Sequence, residues 1–227
     1  MGAAMSGNAD WRKATSGLGE IYNIEAITFK NHGCCGHTFA AIDGLLFIIQ
    51  DAQITADDIA NIAIATYGPA ISITDRVDPK TPQECKFSMQ YVLAHAAHYG
   101  SVRIEAFEAE RIADPAIRAM LGQINLGIDP AVDAEFPARR AAHVSVTTKD
   151  GRQLTHYQPT RKGDPDLPLS DDELDAKFIE LTSPVLGSGP TNSLLQNLWK
   201  LDDISLVTAI DFAVLRSDRT ASEKLPN

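Results

Sequence analysis

The chain has 227 residues, 44% hydrophobic and 22% charged, with a formal net charge of -10. Such a length suits one large domain or two small ones, and such a composition excludes a mostly disordered chain. The acidic balance argues against nucleic acid as the main partner, because a phosphate backbone calls for a basic surface. It still permits a small anionic substrate, since a few cations in one cleft set the local potential.

Residues 1–20 are polar, contain glycine and read as a lead-in; Met1 to Ser6 show no basic region followed by an apolar core, so no signal peptide is expected. Ile24 to Phe29 reads as a short strand, and Lys30 to Gly36, with two glycines, as a loop. Thr38 to Ala52 reads as a helix that is apolar nearly all round and therefore well buried. Its apolar run Gly44 to Ile49 stops at Gln50, far short of the roughly 20 residues that span a bilayer. Thr55-Ala56-Asp57-Asp58 carries a capping signature, Ile59 to Tyr67 suits a strand, and Gly68-Pro69 ends it.

Thr81-Pro82-Gln83-Glu84 opens the clearest helix, with a cap, a first-turn proline and a capping box. The helix is expected to continue to Tyr99 and to stop at Gly100. Asp114-Pro115 begins a short helix through Leu121. Val144 to Thr147 and Gln153 to Tyr157 flank Lys149-Asp150-Gly151 and read as a hairpin. Arg161 to Pro168 is charged and proline-rich, like a linker. Residues 170–215 then read as three helices, opened by the Ser170 cap and broken at Pro184 to Pro190 and near Asp202-Asp203. The expected fold class is α+β. The expected organisation is a lead-in over 1–20, a small α/β domain over 21–165, and a helical tail over 166–227 too small to bury a good core alone.

The densest set of reactive side chains is Lys30-Asn31-His32-Gly33-Cys34-Cys35-Gly36-His37-Thr38. A strand end, a glycine-rich loop and a helix start in succession expose backbone N–H groups at the positive end of a helix dipole, which attracts carboxylates. Lys30 would add a fixed cation and His37 a group that exchanges protons near neutral pH. The alternative is a tightly packed βα loop with Lys30 in solvent and His37 as a cap. Zinc on His32, Cys34, Cys35 and His37 is disfavoured, because adjacent cysteines seldom chelate one tetrahedral ion. A thiol nucleophile at Cys34 or Cys35 competes with the commoner buried, inert cysteine. Three cysteines in a chain this long do not form a disulfide framework, and a reducing cytoplasm is the expected location.

A second candidate is Lys86-Phe87-Ser88-Met89-Gln90-Tyr91, where Ser88 and Tyr91 share a helical face and their hydroxyls can hold a carboxylate; the alternative is a capped helix with Tyr91 in the core. His95, His98, His143 and His156 read as packing or surface residues. Neither a phosphate-cradling loop nor a dinucleotide fingerprint is present.

Lys30 followed by Cys34-Cys35-Gly36-His37-Thr38 and Ala41-Ile42-Asp43-Gly44 resembles the Lys…Pro-Cys-Cys-Gly-His-Thr…Ala-Ile-Asp-Ala signature of the MmgE/PrpD (2-methylcitrate dehydratase-like) family. Lys86-Phe87-Ser88…Tyr91, the Asp150-Gly151 hairpin and Pro168-Leu169-Ser170…Lys177-Phe178 are similar to later family segments, in family order. The resemblance implies the carboxy-terminal part of a two-domain enzyme, typically a homodimer, in which a smaller α/β lid closes over a large helical domain. It implies action beside a carboxylate of a small di- or tricarboxylate, with no metal and no organic cofactor. Members are 2-methylcitrate dehydratases, cis-aconitate decarboxylases and iminodisuccinate epimerases.

By position, the resemblance makes Lys30 and His37 catalytic and Gly36, Ser88 and Tyr91 substrate-binding. His32 and Gly33 depart from the pattern, where an aromatic and a proline are usual. The expected activity is therefore that of a dehydratase-type lyase, with an epimerase, or a non-catalytic half of a split enzyme, as alternatives. No nucleic-acid or membrane partner is expected, and the absent helical half could be supplied by another chain.

Overall fold

The structure, a computed structural model, describes Gly7 and residues 10–203. The chain divides into two compact units, Met1–Pro168 and Leu169–Asn227.

The first unit is built on a mixed four-stranded sheet of order β2-β1-β3-β4, with β1 Ile59–Thr66, β2 Ile124–Ile128, β3 Ala142–Thr148 and β4 Gln153–Gln158. Strand β1 runs parallel to β2 and antiparallel to β3, which pairs antiparallel with β4. Alternate residues Ile62, Ile64 and Thr66 of β1 and Val144, Val146 and Thr148 of β3 point into the core, which is the two-residue period of a strand with one covered face.

That face is covered by α1, Phe39–Asp51, which packs on β3 and β4 and against α4, Met89–Tyr99. The helix comes close because of Gly44: a Cβ there would lie 2.8 Å from Val144 Cγ2. Between β1 and β2 the chain forms α2 Gly68–Thr74, α3 Pro82–Lys86, α4, α5 Ala109–Ile112 and α6 Pro115–Met120; α7 Pro130–Glu135 precedes β3. Residues Met89 to Ala97 of α4 are all buried, so this helix is the centre of the core on its side.

The second unit contains α8 Asp171–Leu186 and α9 Ser188–Trp199, packed as a pair and tied by Trp199 Nε1 donating to Asp175 Oδ1 at 2.6 Å.

The fold class is the expected α+β, but several elements differ. Ile24 to Phe29 is not a strand: Asn23–Ala26 is a 3-10 turn followed by extended chain, and its one ladder-like bond runs from Phe29 N–H to the Gly163 carbonyl, 2.8 Å. The Thr81 helix is two helices. It stops at Lys86, and Ser88 caps a second start by accepting from Tyr91 N–H at 3.0 Å, before Gly100 ends it at φ +71°. Gly68-Pro69 ends β1 and also opens α2. Within the expected break from Pro184 to Pro190, Pro184 still lies inside α8 and the chain breaks at Gly187, φ +79°. The third helix of the tail lies outside the described residues beyond Asp203. Among the described residues, no helix is long and apolar enough to cross a membrane.

Candidate functional site

The loop between Lys30 and α1 is pinned from three sides. Gly33 N–H donates to Val102 O at 2.8 Å, Cys35 N–H donates to Lys86 O at 2.9 Å, and Thr38 Oγ1 donates back to Cys35 O at 2.8 Å. A 3-10 turn, Gly36–Thr38, then feeds into α1. The N–H groups of Gly33 and Cys35 are thus taken by carbonyls; they do not form the open anion cradle expected from the sequence.

The side chain this loop presents is His37. Its Nδ1 lies 2.8 Å from the Tyr67 hydroxyl. Tyr67 follows the last residue of β1, is buried, and stacks on Phe136 with ring centroids 4.7 Å apart. Strand end and loop are therefore locked together through one imidazole–phenol bond. His37 Nε2 has no hydrogen-bond partner among the described residues. Burial holds the His37 pKa below its usual value, and the guanidinium charges of Arg140 and Arg161 depress it further, so the ring is neutral near pH 7. Burial also pushes the Tyr67 hydroxyl up to about 12, so it stays protonated.

Arg161 is the best-fixed cation of the site. Its Nε and Nη2 donate to the two carboxylate oxygens of Asp164 at 2.9 and 2.6 Å, and Nη2 also donates to Thr28 Oγ1 at 3.1 Å. This is the forked geometry that a guanidinium makes with a carboxylate. Burial raises the Asp164 pKa, but the Arg161 and Thr28 hydrogen bonds outweigh it and the net shift is downward, so the carboxylate stays ionised. The remaining Nη1 edge lies over Gly36, 3.2 Å from where a Cβ would stand. Gly36 therefore matters for the closeness of Arg161 to the loop.

Lys30 is exposed at the start of the loop. Its charge acts on the Cys34 thiol, whose pKa burial pushes up to about 12 against the lowering effects of Thr38 and Lys30. Cys34 is thus an inert core thiol, against the thiolate alternative. The charges that act most on His37 are those of Arg140 and Arg161.

Ser88 and Tyr91, expected to bind substrate, bond within the core. Both are fully buried. Ser88 Oγ donates to Arg76 O at 2.6 Å while capping α4, and Tyr91 Oη donates to Ala106 O at 2.5 Å. Their hydroxyls serve the core.

Three of the four candidate zinc ligands turn to separate partners: His32 to Asp43, Cys34 to Thr38, and His37 to Tyr67. Among the described residues no three His, Cys, Asp or Glu side chains converge as a metal site would need.

The sequence alone does not single out Tyr67, Arg140 or Arg161. Tyr67 is readable as the polar-tipped aromatic at a strand end before Gly-Pro. Arg161 is readable only as part of Arg161-Lys162-Gly163-Asp164, a turn in which glycine and a carboxylate fix an arginine.

A family model, MmgE/PrpD C-terminal domain, matches residues 32–201. Cis-aconitate decarboxylase of Mus musculus is 28% identical over 165 residues, 73% of this chain and 33% of the relative. The 2-methylcitrate dehydratase of Cupriavidus necator is 33% identical over 105 residues, 44% of this chain and 22% of the relative. That of Escherichia coli (strain K12) is 27% identical over 133 residues, 56% of this chain and 28% of the relative. The chain spans at most about a third of the length of these relatives.

Proposed function

The chain belongs to the MmgE/PrpD family, and on that premise we propose that it is the carboxy-terminal part of a lyase that moves a proton beside a carboxylate of a small di- or tricarboxylate, without a metal or organic cofactor. The observation that carries this reading is His37, a neutral imidazole with Nδ1 held by Tyr67 and Nε2 without a partner among the described residues, within the field of two arginines.

A phenol hydroxyl both donates and accepts. With Nδ1–H donating to the Tyr67 oxygen, Nε2 is a base; on taking a proton from carbon the ring becomes an imidazolium, and Nε2–H then passes that proton to the leaving hydroxyl, which departs as water. The Tyr67 oxygen can accept from Nδ1–H in both protonation states, which suits a group that takes a proton from carbon and returns it to a leaving hydroxyl. Arg161, through its free Nη1 edge, and Lys30 pair with substrate carboxylates and raise the acidity of the adjacent C–H. Dehydration is the first reading, in keeping with relatives named 2-methylcitrate dehydratase.

A second reading is a half-enzyme that works only with a helical amino-terminal part or as a dimer. It is favoured by the coverage of at most about a third of each of these relatives. The test is turnover of 2-methylcitrate and cis-aconitate by the purified chain alone and after addition of a helical amino-terminal partner. Activity alone rejects the half-enzyme. Activity only with the partner, lost in His37→Gln, supports both the lyase and the half-enzyme readings. No turnover in either arrangement, or undiminished turnover in His37→Gln, rejects the proposed reaction.

A further inference from the structure

Asp43 lies in the second turn of α1 and its side chain is nearly sealed, 10% exposed, against a His32 side chain that is 3% exposed. Its two oxygens go to two different stretches of chain. Oδ1 is 3.0 Å from His32 Nε2, and Oδ2 accepts the Lys162 main-chain N–H at 2.8 Å. His32 is in the loop that presents His37, and Lys162 adjoins Arg161. The His32 ring is further fixed edge-on against Phe39, 5.1 Å between centroids. We infer that Asp43, with His32, is a positioning residue of the site: a carboxylate yoke that holds the His37 loop and the Arg161 segment at a fixed separation.

This inference rests on the reading of His37 and Arg161 as the working pair, and it makes a claim that reading does not contain. Without the yoke, the loop keeps its bonds to Val102 and Lys86, and Arg161 keeps Asp164, so each half survives. The bonds of Thr28 and Phe29 to Asp164, Arg161 and Gly163 still tie the entry of the loop to the Arg161 segment, and what is lost is the Asp43 link at its His37 end. The groups that act on His37 are Tyr67, which bonds it, and Arg140 and Arg161, which depress its pKa along with burial. Removing the Asp43 charge, acting through space alone, would lower the pKa of a nearby imidazole or leave it unchanged. Letting Arg161 drift away from a loosened loop raises it. The two effects have opposite signs, so the titration separates a mechanical yoke from a simple charge.

The experiment is an NMR titration of the His37 ring in the full chain, for wild type, Asp43→Asn, His32→Leu and His32→Gln, each checked for fold by circular dichroism. Asp43→Asn and His32→Leu should raise the His37 pKa toward its ordinary value, by roughly half a unit against the one-unit scatter seen among protein histidines. His32→Gln, whose amide can still donate to Asp43, should restore most of the wild-type value. An unchanged or lowered pKa in folded His32→Leu overturns the yoke even if Asp43→Asn fails to fold. Citrate added to wild type gives a separate reading: no perturbation of the His37 ring by citrate rejects the carboxylate site, while the titration still decides the yoke.

Discussion

His95 sits wholly inside α4, with Nδ1 2.8 Å from the Ser101 carbonyl and Nε2 without a partner among the described residues. Burial lowers its pKa from the ordinary 6.5, more than the Ser101 bond raises it, and His37 is lowered in the same direction. Below pH 6.5 the unfolded chain therefore binds protons that the folded chain refuses. Stability is full above that pH and falls as the pH drops through and below it. The slope that one such proton can impose is about 1.4 kcal/mol per pH unit. Melting followed from pH 7.5 to 5 should show a falling midpoint, and His95→Gln should flatten that fall while lowering the midpoint at pH 7.5. An equal slope in the variant would assign the acid lability elsewhere. The same burial logic separates the two histidines in function: His95 is closed in among Tyr91, Tyr99 and main chain, whereas His37 is only half-buried.

At the scale of elements, the joint between α3 and α4 is where local sequence and site geometry meet. Ser88 Oγ satisfies both the Tyr91 N–H and the Arg76 carbonyl inside the core. Ser88→Ala strands the buried Tyr91 N–H and removes the partner of the carbonyl of exposed Arg76, a loss expected to be about 1 kcal/mol. The urea midpoint should drop accordingly with an unchanged m-value; a shift within measurement error would mean that water replaces the hydroxyl. The joint also holds the loop, because Lys86 O accepts from Cys35 N–H. The capping boxes at Thr55, Thr81 and Ser170 were all legible in the sequence, because a cap is settled by residues three apart. The second cap at Ser88 was hidden, since Phe87 and Tyr91 keep a helical period across the break. Long-range pairing was harder still. Ile24 to Phe29 has strand-like composition but, among the described residues, a single main-chain bond to a distant segment, at Gly163, and β2, interrupted by Asn125 and Gly127, owes its existence to parallel pairing with β1 more than 60 positions away in the chain. His37 could be picked out as the polar end of a glycine loop. Its partners could not, because Tyr67 and Arg161 reach it from a strand end and a turn that only the tertiary fold brings together.

At the scale of the whole molecule, a net charge of -10 surrounds a site whose useful charges are cationic. Two opposing fields then act on an incoming polycarboxylate. The repulsion comes from acids spread over the surface and is long-ranged; the attraction comes from Arg140 and Arg161 beside His37 and is short-ranged and partly buried. Salt removes them in order. The screening length is about 30 Å at 0.01 M, about 10 Å at 0.1 M and about 3 Å at 1 M. The first rise in salt should therefore screen the repulsion and leave the arginines effective, and only the second should weaken the grip. Citrate affinity measured by calorimetry at these three ionic strengths should be highest at the middle one, and Arg161→Gln should weaken binding at all three. A steady fall from the lowest salt upward would mean that the anion is drawn by a broad basic face, which a chain of this charge can offer only if it binds away from His37. The order in which salt removes the two fields is thus a measure of where the anion sits, independent of any assay of turnover.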